Sequence, residues 1–226
     1  MAEAAQRRVQ HAEQRGTRRD AQEAILDAAE QVFAENGFHG ATTRAIADQA
    51  GANAALIHYY FGSKEALFET VFARRAGAIN AERRARLATL RAQGQPSLEQ
   101  VLDALLRPTV ALGHDPTRGG AHYARLVAHV AQGTDARSRR LTGDSYDAIA
   151  RRFIEEIAAA VPGLDRVQAV HAYLNTIAIG IALMAPTGRA QALMAPCPAP
   201  SETLDEGLAR SVRFIAAGIR ALAAPD

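Results

Sequence analysis

At 226 residues the chain is long enough for one or two domains with a buried core, and with 48% of its residues hydrophobic it is not an intrinsically disordered chain. Cys197, the only cysteine, excludes an internal disulfide framework and fits a reducing cytoplasm. A formal net charge of +2 excludes nothing about nucleic acid, so the placing of the charges matters more than their total.

Residues 1–17 read as a flexible basic arm. Over the first twenty positions Arg7, Arg8, Arg15, Arg18 and Arg19 outnumber Glu3, Glu13 and Asp20, and the stretch lacks the apolar core of a signal peptide. From Arg18 to Glu35, the residues Ile25, Ala29, Val32 and Phe33 recur at helical spacing, and Asn36-Gly37 supplies a C-terminal stop. Thr42 is placed to cap a short helix, Thr43–Ala50, whose inner side is Ile46, Ala47 and Ala50. Gly51 permits a left-handed turn. Asn53 caps a second short helix, Ala54–Tyr60, with Ile57 and Phe61 turned inward. Gly62 and Ser63 separate it from a long helix starting at Lys64 and reaching Arg91. Two short helices joined by a glycine turn and braced by a first helix form a helix-turn-helix, which sets its second short helix in a DNA major groove. An alanine-rich helical hairpin has the same spacing. Residues 74–91 hold six arginines against Glu82, as a second basic surface or as a solvated helix face.

The segment Gly37–Phe72 resembles the DNA-binding domain of the TetR family of bacterial transcription regulators. The matching elements are Gly37-Phe38 closing the first helix, the Thr42-Thr43 cap, Ile46-Ala47, Ala50-Gly51, an Asn at 53 where the family often has Ser, and the run Tyr59-Tyr60-Phe61-Gly62-Ser63-Lys64-Glu65. The resemblance implies an all-α protein with a three-helix DNA-binding domain over 18–65 and a larger helical ligand-binding and dimerisation domain over 66–226. It implies a ligand-responsive regulator, a repressor on a near-palindromic operator in double-stranded DNA. It also assigns roles. Thr42 and Thr43 stand at a helix N-terminus, where free N–H groups and the positive dipole end suit a phosphate. Arg44 reaches a phosphate or a guanine edge. Tyr59 and Tyr60 donate to backbone phosphates, His58 to a base or a phosphate, and Lys64, the only lysine, to a phosphate. Behind the Asn53 cap the chain departs from the family: Ala54, Ala55 and Leu56 stand where Lys, Gly and Thr are common. They offer bases no hydrogen bonds, and Ala54 and Ala55 are left to meet thymine methyls.

Farther along, Ser97 and Gln100 form a capping box for a helix carrying Leu98, Val101, Leu102 and Leu105, bent or ended near Pro108. His114–Gly120 is a loop, followed by helices over Ala121–Ala131 and Thr142–Ala160; the second has Tyr146, Ile149, Phe153 and Ile157 on one side. Asp165 caps a helix with Val170, Leu174, Ile177, Ile181 and Met184 in coiled-coil-like alternation. Its apolar run, Ala172–Met184, is interrupted by Asn175 and Thr176 and is too short to span a membrane. Residues 185–202 form a proline-rich, partly disordered connection. The last helix places Leu204, Leu208, Val212, Ile215, Ile219 and Leu222 in a similar alternation. The family builds a homodimer from two such C-terminal helices of each subunit; the alternative is an intramolecular core stripe.

The intervening helices are expected to enclose an effector pocket. His122, Arg125 and His129 share one helical face, and Tyr146, His171 and Asn175 are further polar candidates, beside Tyr123 and Tyr173. An Arg and two His among apolar walls suit an anionic, largely apolar effector such as an acyl compound; a solvated or dimer face is the alternative. No Gly-rich phosphate loop, nucleophile elbow or paired-carboxylate site is present, so the chain reads as a regulator and not an enzyme. Its histidines do not pair with each other or with Cys197 at chelating spacing, so neither metal nor cofactor is expected. Glu155 and Glu156 read as solvated charge. A helical adaptor that has lost DNA binding is the competing class, favoured by Ala54-Ala55-Leu56.

Overall fold

The computed structural model describes residues 2–115, 119–184, 188–194 and 203–223, with side chains from Arg19 onward except those of Gln132, Ala190 and Gln191. All regular structure among these residues is helical: α1 (Ala2–Gly40), α2 (Thr43–Ala50), α3 (Ala54–Phe61), α4 (Lys64–Ala92), α5 (Leu98–Gly113), α6 (Gly120–Gln132), α7 (Ala136–Ala160), α8 (Arg166–Met184), α9 (Arg189–Met194) and α10 (Leu204–Leu222). Two compact units divide the chain, residues 1–74 and 75–226, and the division falls inside α4.

In the first unit, α1 is two helices run together. Gly37 has φ 66° and ψ 176°, which breaks the helix where the Asn36-Gly37 stop is expected. Toward the N-terminus the helical backbone extends to Ala2. Residues 2–15 are dominated by Ala, Gln, Glu and Arg and contain neither Gly nor Pro, so local propensity alone favours a helical backbone. The caps fall as read. Thr42 Oγ1 accepts from Ala45 N–H at 3.1 Å, Asn53 Oδ1 from Ala55 N–H at 2.8 Å, and Ser63 Oγ from Ala66 N–H at 3.1 Å. Gly51 takes the left-handed conformation, φ 61°, that a side chain would strain. Ile25, Ala29 and Phe33 of α1, Ile46 of α2, Ile57 of α3 and Leu67, Val71 and Phe72 of α4 are almost wholly buried. Each large side chain among them contributes about 1.5–3 kcal/mol. Phe68 meets Phe33 and Phe38 edge-on, with centroids 4.9 and 5.2 Å away. Arg74 ties α4 to α1 through Glu23, Asp27 and Glu30 at 3.0, 2.8 and 3.1 Å.

In the second unit α5 is central and packs on α6, α7, α8 and α10. Its Ser97–Gln100 capping box forms. The helix neither ends nor stops short at Pro108 but continues to Gly113, because Pro108, Thr109 and Leu112 are buried by its neighbours and packing outweighs the lost N–H. α7 starts earlier than its apolar pattern suggests, where Asp135 caps the N–H groups of Arg137 and Ser138. α8 is capped by Asp165 and Gln168. An 18-residue window of this 19-residue helix reaches a mean hydropathy of 1.4, which makes it long and apolar enough to cross a membrane, contrary to the reading of 172–184 alone. A core helix of a globular domain meets the same measure, and α8 buries Ala169, Ala172, Tyr173, Thr176, Gly180 and Met184. Within the proline-rich connection α9 is helical; Cys197, like 116–118 and most of that connection, lies outside the described residues.

Two expectations are corrected here. The α10 stripe Leu208, Val212, Ile215 and Ile219 is buried within the unit, whose α5 and α8 pack on α10, so it is a core stripe and not a free dimer seam. Small residues serve the same end: a Cβ on Gly180 would stand 2.7 Å from Leu106 Cδ2, so glycine allows α8 its close approach to α5. Glu156 is buried and not solvated, with Oε1 2.9 Å from Arg91 Nε; burial of a carboxylate requires such a partner.

Candidate nucleic-acid interface and effector site

The first candidate site is the α2–turn–α3 surface. Thr42 and Asn53 each take one N–H at their helix start, and neither helix has an acidic residue in its first turn, so no negative charge offsets the positive dipole end at either N-terminus. Thr42, Arg44, Asn53, Ala55 and His58 are exposed; Thr43, Ala54 and Tyr60 are half-buried; Tyr59 is 64% exposed. All of these sit on α2, on α3 or at their caps. Tyr59 and Tyr60 stand edge-on, 5.2 Å between centroids. Burial of Ile57 and Phe61 fixes the inner side of α3 and leaves His58 and Tyr59 outward.

Two of the expected contacts have partners inside the protein. His58 Nδ1 is 2.9 Å from the Gly62 carbonyl, at the end of its own helix, so Nε2 is the nitrogen left for another partner. Lys64 is half-buried. Its ammonium donates to the carbonyls of Phe38 and Ala41, both at 2.9 Å, and lies 4.5 Å from the Phe38 ring centroid. Two of three N–H groups are thus committed to the backbone between the α1 break and the Thr42 cap. Lys64 fixes the entry to α2, and one N–H at most remains for a phosphate.

The second candidate lies in the second unit. The expected pocket residues do not converge there. Arg125 and His129 on α6 are exposed, and His171 and Asn175 are exposed on α8 beside Leu174. Helical phase explains this: the buried sides are Tyr123, Ala124, Leu126, Val127 and Val130 on α6, and Ala169, Ala172, Tyr173 and Thr176 on α8. His122 is half-buried, and its Nδ1 is buried with no hydrogen-bond partner. Tyr146 does face inward, and its hydroxyl meets that of Tyr123 at 2.8 Å. The centre of this polar cluster is Arg83 of α4, 3% exposed. Its Nε–H donates to the Leu105 carbonyl (2.9 Å), Nη1 to Asn80 Oδ1 (3.3 Å) and Nη2 to Thr109 Oγ1 (2.8 Å). Its guanidinium carbon is 5.9 Å from the Tyr146 ring centroid. Burial pushes the Arg83 guanidinium below its ordinary value and lifts the Tyr146 and Tyr173 phenols above theirs. A separate groove of about 680 Å³ runs between α4, α5 and α10, lined by Glu82, Arg86, Glu99, Asp103 and Arg213 among others, and holds none of the expected pocket residues. No three His, Cys, Asp or Glu gather at a metal site among the described residues.

A family model for the tetracyclin repressor-like C-terminal domain matches residues 103–218, and one for bacterial regulatory proteins of the tetR family matches 25–71. The chain belongs to the TetR family. Among relatives of this TetR-family protein, the HTH-type transcriptional regulator RutR of Escherichia coli K12 is 30% identical over 141 residues, 62% of this chain and 49% of RutR. UidR of the same organism, also an HTH-type transcriptional regulator, is 40% identical over 47 residues, 21% of this chain and 24% of UidR. The chain therefore spans about half or less of the curated relatives it matches. Solved structures share the fold. The fatty acid degradation regulator FadR of Bacillus halodurans has a TM-score of 0.62 at 18% identity, over 88% of this chain and 94% of that one. The FadR of Bacillus subtilis, solved in complex with stearoyl-CoA, has 0.60 at 18%, over 87% and 98%. The ketosteroid regulator KstR2 of Mycobacterium tuberculosis has 0.61 at 16%, over 87% and 93%.

The sequence of this TetR-family protein, read for polar groups of the second unit, misses the buried cluster of Arg83, Asn80 and Thr109. A signal was present. Ala76, Ile79, Asn80, Arg83 and Leu87 recur at three- and four-residue spacing along α4, which places Arg83 on the buried face and not in a basic surface cluster.

Proposed function

We propose that the protein is a ligand-responsive transcriptional repressor that acts as a homodimer on a near-palindromic operator. The observation that carries this reading is the α2–α3 pair, capped by Thr42 and Asn53 and free of acid at both helix starts, in the segment matched by the tetR family model. Phosphates meet the α2 N-terminus through Thr42, Thr43 and Arg44, and Tyr59 and Tyr60 donate to the backbone from α3. Base readout rests on Arg44, on His58 through Nε2, and on apolar contact of Ala54 and Ala55 with thymine methyls. A single short reading helix specifies little, so two copies reading two half-sites supply the specificity. The surface offered for self-association is the exposed side of α8 and α10, with Val167, Leu174 and Phe214; His171 and Asn175 belong to it.

The effector enters the second unit, and α4, which has residues in both units, carries the response to α2 and α3. Operator affinity falls by the difference in effector affinity between the two conformations. An acyl or otherwise anionic, largely apolar effector suits the cluster around Arg83, and the cytoplasm is where such a regulator works. The second reading, a helical adaptor without DNA binding, draws on Ala54, Ala55 and Leu56. Footprinting on the DNA flanking its own gene separates the two. Arg44→Ala and His58→Ala are each expected to weaken or relax the footprint, with about 1–3 kcal/mol lost per base contact. Unchanged affinity and sequence preference in both variants would remove this readout.

A further inference from the structure

Arg83 carries a charge into a place where nothing of opposite charge receives it. It is 3% exposed, and no carboxylate pairs with it among the described residues. Asn80, Thr109 and the Leu105 carbonyl take three of its five N–H groups, and the remaining two have no partner of their own. Asn80 is itself held by donation to the Ser145 carbonyl at 2.7 Å, so the amide cannot swing away to leave Arg83 freer. Tyr146, whose ring centroid lies 5.9 Å from the guanidinium carbon, and Tyr123, whose hydroxyl meets that of Tyr146 at 2.8 Å, are uncharged neighbours, and burial lifts the Tyr146 phenol above its ordinary value, away from a charge that could neutralise the cation. Asp147, which neighbours Tyr173, is exposed and paired with Arg151 at 3.2 Å. Buried cations without a counter-ion are costly, and apolar residues of the same volume often replace even paired ones without loss. Stability therefore gives no reason to keep a guanidinium here. An incoming anion would recover the missing Coulomb energy in a low-dielectric setting and take up the two idle N–H groups in the fork geometry that suits an oxyanion.

We propose that Arg83, with the Tyr123–Tyr146 hydroxyl pair and Thr109, is the receptor for an oxyanion on the effector, the anionic end of a molecule whose body lies against the apolar core of the second unit. The shared chemistry is a terminal carboxylate or phosphate monoester on an apolar chain. This rests on the reading of the second unit as the effector domain and adds the residue that selects the charge.

The test compares thermal unfolding of the full chain with hexanoate and decanoate, with the matched primary amides, and with hexyl and decyl phosphate. Wild type is expected to gain several degrees with one anionic series and little with the amides, and the stronger series tells carboxylate from phosphate. Arg83→Met is expected to melt at or above the unliganded wild type and to lose the difference between anion and amide. Arg83→Lys, which keeps the charge without the fork, should retain a reduced shift. The inference is overturned if anions stabilise wild type no more than amides do, if Arg83→Met responds like wild type, or if Arg83→Met melts several degrees lower and so marks a structural strut. DNA binding measured on the same samples keeps the two readings apart. Anion selectivity without DNA binding removes the regulator alone, and DNA binding without anion selectivity removes the receptor alone.

Discussion

Lys64 is a single basic residue with two calls on its charge. Its ammonium spans the carbonyls of Phe38 and Ala41 and lies over the Phe38 ring, which a compact head with three divergent donors can do and a planar guanidinium cannot do equally well. Lys64→Met should destabilise the first unit by about 1–3 kcal/mol, since two part-buried carbonyls lose a charged donor. Lys64→Arg should keep part of that stability while weakening DNA binding, because a displaced α2 entry moves Thr42 and Arg44. Chemical denaturation and binding on the same variants check both; an Arg variant equal to wild type in each would reduce the lysine to a charge. Asp135 is the opposite kind of residue, exposed and structural. The Ser138 hydroxyl and the Ser138 and Arg137 N–H groups hold its carboxyl at about 2, below the ordinary 3.8. A depressed folded-state value contributes stability above about pH 4 that is lost as pH falls toward 2. Acid unfolding should therefore show Asp135→Asn losing part of this acid dependence while still capping α7; coincident curves would contradict the assignment.

At the scale of helices, α8 and α10 each have two sides with different work. Leu208 is 1% exposed and Phe214 is 74% exposed on the same helix. Leu208→Ala should cost about 2–5 kcal/mol in denaturant unfolding. Phe214→Asp should leave the helical signal intact and shift the protein toward monomer in sedimentation, if this side joins two copies. Much of this layout was legible in the chain itself. Thr42, Asn53, Ser97 and Asp165 announce their helices because a side-chain cap is a local event, and Gly37 and Gly51 mark backbone that needs positive φ. What depends on distant partners was not legible. Pro108 reads as a break, but burial on both sides carries α5 past it. The α10 stripe reads equally as dimer seam or core, and only its packing with α5 and α8 decides. Arg83 is one of six arginines over 74–91, and helical phase, not charge clustering, separates it from the rest as the buried one.

For the molecule as a whole, the proposed function gives the two units different partners, and α4 has residues in both. The first presents two helix starts free of acidic residues, with Arg44 and the tyrosines, which suit a polyanion; the second holds a buried cation without a carboxylate partner among the described residues, which suits a small anion. A regulator that exchanges one anionic partner for another is consistent with both, with α4 as the common element. Binding of the full-length protein to the DNA flanking its own gene, titrated from 50 to 200 mM salt, tests this account most directly. Phosphate contacts release counterions, so log K should fall linearly with log salt, with a loss of about 10³–10⁵ if some six to ten phosphates are engaged. Affinity that does not change with salt, or no binding at low salt, would contradict it.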